Sequence, residues 1–161
     1  MDKIFILEFF LIELPAAFLF IFAAYALSKV MINIKRYFIG SLLLALVVLL
    51  TGVLPIHSGM NIILNMVALI LIIVNINEID IMRGIKSTIL IIFFECISEL
   101  LNIYILQMLL SVDKNYIHNV PHLKVLFGIP SLVIFALIIF SYYGILRKRK
   151  ELTTTNYGEV K

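Results

Sequence analysis

Apolar residues fill this chain in long blocks, and the gaps between blocks collect its charges and helix breakers. A membrane-crossing helix needs about 20 mostly apolar residues. Five blocks meet that need: residues 4–28, 37–55, 59–76, 84–110 and 125–146. Only Ile56, His57 and Ser58 separate the second from the third. A single helix over residues 37–76 would be roughly 60 Å long at 1.5 Å per residue, about two membrane thicknesses, so the chain must turn back there. Pro55 and Gly59 bracket that turn, as helix breakers do. The pattern predicts an all-α polytopic membrane protein, a five-helix transmembrane bundle over residues 1–146 with a basic tail at 147–161.

Composition fixes the solvent. Of 161 residues, 63% are hydrophobic and 14% charged, against about 45–50% and about 25% in soluble domains. A globule of this size leaves too much surface exposed to hide so much apolar area from water. A soluble enzyme, a nucleic-acid-binding domain and a disordered tail are excluded on that ground, and the lipid bilayer is the expected partner. The lone Cys96 leaves no intrachain disulfide and no Cys-x-x-Cys site.

The scarce charges are sorted. Five spans put the termini on opposite sides. With the C-terminus inside, the inner segments hold Lys29, Lys35, Arg36, Arg83, Lys86, Arg147, Lys148, Arg149, Lys150 and Lys161, and the outer segments hold Lys3, Lys114 and Lys124. Ten of the thirteen basic residues therefore lie inside, as the positive-inside rule requires. The expected topology is N-terminus outside and C-terminus inside. With no Trp, Tyr25, Tyr37, Tyr142 and Tyr143 would form the inner interfacial belt, and Tyr116 would lie at the outer face. The cluster Arg147, Lys148, Arg149 and Lys150 is a candidate surface for lipid headgroups or a partner. Ala24-Tyr25-Ala26 has the small-x-small form of a cleavage site, but Glu8 and Glu13 interrupt the apolar run and the basic flank follows it, so a retained helix is expected. Ala24/Ser28 and Ser41/Ala45 have the four-residue spacing of small residues at helix contacts in lipid.

The candidate chemistry lies in polar residues within the apolar blocks. Block four carries Glu95, Ser98, Glu99 and Asn102, which at 100° per residue share one stripe. Block one carries Glu8, able to snorkel to the surface, and the deeper Glu13, followed by Pro15. Block three opens with Asn61 and Asn65, one turn apart, and Pro130 and Ser131 would interrupt block five. On the expected topology Glu13, Asn61, Asn65, Glu95, Ser98, Glu99 and Asn102 converge toward an outward-facing polar cavity, a candidate ligand or proton site. A charge at mid-membrane costs roughly 2.5–3.5 kcal/mol on insertion scales. Glu95 and Glu99, one turn apart, would also repel each other if both were ionised. Protonation, a bound cation, a cationic ligand or a partner's basic residue must balance these carboxylates. The competing reading is structural: protonated glutamates hydrogen-bonded to Asn61, Asn65 or Ser98, locking helices together.

Catalytic and metal signatures are missing. His118 and His122 are four residues apart with Pro121 between them, and no third ligand converges on them. His-Glu-x-x-His and Gly-x-Ser-x-Gly do not occur. The reading is no enzyme, no metal, no cofactor and no nucleic-acid partner.

The order of short motifs along residues 1–146 carries a resemblance. Lys35-Arg36-Tyr37-Phe38, Leu54-Pro55-Ile56-His57-Ser58-Gly59, Arg83-Gly84-Ile85-Lys86, Ile97-Ser98-Glu99-Leu100-Leu101-Asn102 and Gly128-Ile129-Pro130-Ser131-Leu132 follow in turn. Together they resemble the N-terminal membrane sensor region of GHKL-type sensor histidine kinases of Gram-positive bacteria, which include the peptide quorum-sensing type. Eleven residues follow Lys150, so the resemblance implies an input region without its kinase domain. It implies a bacterial plasma-membrane location, a peptide or small lipophilic ligand, and a membrane partner such as a sensor kinase. The abundance of isoleucine and asparagine agrees with a low-GC bacterial genome. Two other readings stay open. One is a small proton- or cation-linked transporter or transporter subunit, working as a homo-oligomer through Glu95 and Glu99. The other is a structural or immunity-type membrane protein that acts by occupying a partner's surface.

Overall fold

The computed structural model describes residues 9–53, 58–110 and 121–153. Among them are five α-helices: α1 (Leu14–Leu27), α2 (Ile34–Val53), α3 (Ser58–Asn75), α4 (Ile81–Leu110) and α5 (Pro121–Lys148). A π-helical turn, Phe9–Glu13, leads into α1. Four stretches are long and apolar enough to cross a membrane: Phe9–Leu27, Ile34–Val53, Ile81–Ile105 and Gly128–Lys148. The apolar part of α3, Met60–Asn75, is shorter. Large side chains such as Leu42, Leu46, Leu50, Ile62, Leu71 and Leu137 lie exposed around the outside, a surface that suits lipid.

Helix α1 sits at the centre and packs against each of the other four. Its side chains explain why. Ala17, Ala23, Ala24 and Ala26 are all buried, as are Ile21 and Tyr25. Helix pairs in lipid gain little from hydrophobic transfer and associate through close packing, which small residues permit. Ala24, Ser28, Ser41 and Ala45, the residues with four-residue spacing, are all buried, and α1 packs closely on α2. Larger rings tie α1 to its neighbours, edge-on from Phe18 and Phe20 and tilted from Phe22. Phe18 meets Tyr37 and Phe38 of α2, Phe20 meets Phe135 of α5, and Phe22 meets Phe140 and Tyr143 of α5.

The helix limits differ from the apolar blocks at the charged end. Helix α2 begins three residues before Tyr37, so Lys35 and Arg36 lie in its first turn. Asn33 anchors that turn through its carbonyl, which accepts from the Tyr37 N–H at 2.8 Å. The Arg36 guanidinium, at the unfavourable positive end of the helix dipole, is balanced by Glu78 at 2.6 Å. Helix α4 starts at Ile81 because the Asp80 carboxylate accepts from the N–H groups of Met82 and Arg83. Helix α5 runs past Leu146 to Lys148, so Arg147 and Lys148 belong to its last turn rather than to a tail, where the helix dipole favours cations. It also runs unbroken through Pro130, correcting the expected interruption there. Neighbouring helices compensate for proline's missing N–H in such packed bundles. Pro15 does mark a change: it follows the π-helical turn directly, and with helix on both sides its missing N–H removes one backbone donor there. The turn at residues 54–57, with Pro55 and His57, lies outside the described residues, as do Glu8, Tyr116 and His118.

One end of the bundle gathers the end of α1, the start of α2, the end of α3, the start of α4 and the end of α5, together with most of the basic side chains. Two of these helix ends share one design. At α1 the Lys29 and Val30 N–H groups donate back to Ala26 and Tyr25, with Lys29 at φ 57°. At α5 the Lys150 and Glu151 N–H groups donate back to Arg147 and Leu146, with Lys150 at φ 54°. Both are Schellman caps with lysine in the left-handed position that glycine usually takes.

Beneath these caps lies a buried polar group. Tyr25, Ser28 and Asn77 are buried, with the Asn77 amide beside the Tyr25 hydroxyl and the Ser28 hydroxyl without a hydrogen-bond partner among the described residues. Asn77 presses on α2 at Gly40, where a β-carbon would lie 2.6 Å from its Oδ1. A larger residue there would have to displace the Asn77 side chain. Gly40→Ala is therefore expected to destabilise the bundle by about 1–3 kcal/mol through overpacking. Adding Asn77→Ala should recover most of that loss, since it removes the clashing side chain. Thermal unfolding of the two single variants and the double variant in detergent checks this; equal loss in Gly40→Ala with and without Asn77→Ala would contradict it.

Candidate functional site

Three of the residues singled out by sequence meet in one cavity of about 160 Å³. Glu13 comes from the π-helical turn, Asn65 from α3 and Glu95 from α4. The rest of the lining is apolar, including Phe20 of α1, Leu44 of α2, Leu69 of α3 and Ile91 of α4. Among the described lining residues none is basic. Glu95 is roughly 21 Å along α4 from Ile81 at 1.5 Å per residue, near the middle of that helix.

The local sequence explains how each polar group arrives. Glu13 ends the π-helical turn just before Pro15, and the wider turn changes the direction in which its side chain leaves the axis. Asn65 is held in place from α2, where the Thr51 hydroxyl lies 3.0 Å from both its Oδ1 and the Val48 carbonyl. Glu95 is half-buried, and Glu13 and Glu99 are the charges that act on it.

The structure divides the predicted stripe on α4. Ser98 is fully buried and donates to the Phe94 carbonyl at 2.8 Å, so its hydroxyl serves its own helix. Asn102 is buried outside the cavity lining. Glu99 is exposed on the outer surface of α4. The reason is angular: Ser98 and Glu99 are 100° apart, so a stripe holding both has one edge inside the bundle and one outside. Asn61 is half-buried one turn from Asn65, with its Oδ1 unpartnered among the described residues, and it does not line the cavity. Of the seven predicted site residues the cavity thus unites Glu13, Asn65 and Glu95. Among the described residues no group of three or more His, Cys, Asp or Glu side chains is placed to hold a metal.

A second feature went unrecognised in the sequence. After the α5 cap the chain folds back onto the segment following α1. Met31 N–H donates to the Thr153 carbonyl at 2.9 Å and Thr153 N–H donates to the Lys29 carbonyl at 2.8 Å, forming a parallel bridge between Val30 and Thr153. The Thr153 hydroxyl donates to the same Lys29 carbonyl at 3.1 Å and accepts from Arg83 of α4 at 3.3 Å. Lys29 meets Glu151 at 2.7 Å. This clasp joins the ends of α1, α4 and α5. Arg147, Lys148, Arg149 and Lys150 are exposed beside it, with Arg149 3.9 Å from Glu151. The only hint in the sequence is Glu151 placed directly after four basic residues.

No protein-family model, no curated protein and no solved structure matches the chain.

The clasp should respond to pH at both extremes. Its hydrogen bond and charge attraction with Lys29 hold Glu151 below the ordinary carboxylate range, and the same pair raises Lys29 above the ordinary amine range. A lowered carboxylate stabilises the clasp above its ordinary value and stops doing so as pH falls through the lowered one. A raised lysine stabilises it below its ordinary value and stops doing so as pH rises through the raised one. The ion pair is exposed, so salt should weaken it too. A spin label at Leu152 is expected to show constant mobility from about pH 5 to 9 and to loosen in strong acid, strong base and high salt. A Lys29→Gln variant that leaves the label equally restrained would contradict the role given to the pair.

Proposed function

We propose that this protein is a non-catalytic sensory or regulatory module of a bacterial plasma membrane, crossing it five times with its N-terminus outside and its C-terminus inside. The location of ten of thirteen basic residues supports the orientation. At 18 residues, α3 is within the range of a spanning helix. The resemblance to the membrane input region of GHKL-type sensor kinases supports the same reading.

The observation that carries the reading is the sharing of helices between cavity and clasp. Helices α1 and α4 wall the cavity at mid-length, and both end at the clasp with α5. A ligand or proton that reaches Glu95 changes the charge balance where these helices touch. Because α1 packs against every other helix, a shift there reaches Lys29 and Arg83 without an intermediary. Arg147 to Lys150 then present a changed surface to a membrane partner such as a sensor kinase. The ligand works by binding one of the two arrangements more tightly than the other.

One observation favours a second reading, a proton- or cation-linked transporter subunit. A carboxylate next to a departure from α-helical geometry, as Glu13 is, resembles the discontinuous helices that hold ions in transporters. A membrane-scale distance separates the readings. With Cys96 replaced by serine, spin labels at Lys35 and Lys148 report the spacing of α2 and α5 at the basic end in nanodiscs. Glu95→Gln, which removes the charge as a bound cation or proton would, is expected to shift that distance distribution. An unchanged distribution with lowered thermal stability would instead make Glu95 structural glue. Sodium or proton flux into proteoliposomes that depends on Glu95 would select the transporter.

A further inference from the structure

Resting on the reading of the cavity as a binding site, we propose that its ligand is a compact organic ammonium, a single cationic nitrogen on a hydrocarbon or aromatic body of about benzene's size. The size follows from the volume. At about 160 Å³ the cavity is close to an engineered cavity of about 150 Å³ that holds benzene. A peptide, a lipid chain or a large drug-like molecule would have to extend out through its open side.

The lining sets the chemistry. Glu13 and Glu95 place carboxyl groups from two elements around the space, with Asn65 as the third polar residue. An anion is repelled, and a neutral hydrocarbon leaves the carboxyl groups facing an apolar body. A bare metal cation is poorly served, because hard cations need about six oxygen ligands and the remaining wall is carbon and methionine sulfur. Asn65 Oδ1 already accepts from Thr51. An ammonium on an apolar body satisfies both parts. Its N–H groups make charge-assisted hydrogen bonds to Glu95 and its neighbour. Its body lies against Leu44, Leu69, Ile91 and the adaptable Met66, and Phe20 offers a ring to the cation. Glu99, exposed on α4, does not line the cavity and bears on it only through its charge on Glu95.

Benzylammonium is the probe, titrated against the full chain in nanodiscs by saturation-transfer NMR, with empty nanodiscs as baseline. The expected result is saturable binding, weakened about tenfold or more by Glu95→Gln and changed much less by Glu99→Gln. Leu69→Phe, which fills the cavity without altering its charge, should also abolish binding, so the proposal does not depend on one variant folding. Benzyl alcohol, the neutral isostere, should bind at least tenfold more weakly, and sodium should not displace the probe at equal concentration. Binding that survives Glu95→Gln and Leu69→Phe, an equally tight benzyl alcohol, or displacement by sodium would overturn the assignment. Failure here is distinguishable from failure of the sensory reading. If Glu95→Gln moves the Lys35–Lys148 distance but benzylammonium does not bind, the ligand class is wrong and the module reading stands. If benzylammonium binds as expected but saturation leaves that distance unchanged, the ligand class stands and the sensory reading falls.

Discussion

Close packing around α1 is the constraint from which the other features follow. A helix surrounded by four others must have small side chains on more than one face, and α1 buries Ala17, Ala23, Ala24 and Ala26. In water such a helix would be a weak core element, since alanine buries little area. In lipid, where transfer gains between helices vanish, close approach is the main source of attraction. Centrality also explains what sits at the two ends of α1. Its start delivers Glu13 to a space bounded by α2, α3 and α4, and its end delivers Lys29 to the clasp. One helix therefore touches both the candidate ligand site and the clasp.

The cavity exists because this packing is incomplete at one level. Near Glu95 the lining residue from α1 is Phe20 rather than one of its small residues, and a space of about 160 Å³ is left between the helices. A space holding two carboxylic groups among carbon atoms is costly to leave ionised. That cost motivates a cationic or protonated occupant. At the basic end the reverse holds. Charges there are exposed and paired across elements, Arg36 with Glu78 and Lys29 with Glu151, so their contacts are weak singly and easily exchanged.

The amino-acid pattern reveals the helices and much less of their ends. Apolar block length predicted the five helices, and small-residue spacing predicted the burial of Ala24, Ser28, Ser41 and Ala45. The ends were misjudged where hydrogen bonding outlasts hydrophobicity. Lys35 and Arg36 sit inside α2, and Arg147 and Lys148 inside α5. Pro130 looked like a break because proline's effect on an isolated helix ignores the support of neighbours. The polar stripe on α4 was legible as a stripe, but which edge faces inward depends on how the helix is rotated. That rotation decides that Glu95 joins Glu13 and Asn65 while Glu99 does not. The clasp rests on backbone groups and one ion pair, which leave almost no trace in residue type.

Rotation of α4 is thus the point on which the account turns. Cysteine pairs in a Cys96→Ser background test it directly. Residue 13 paired with 95 should cross-link through a short bifunctional thiol reagent, and 13 paired with 99 should not, because Glu13 and Glu95 face one cavity while Glu99 faces out. Efficient 13–99 cross-linking with a silent 13–95 pair would contradict the account.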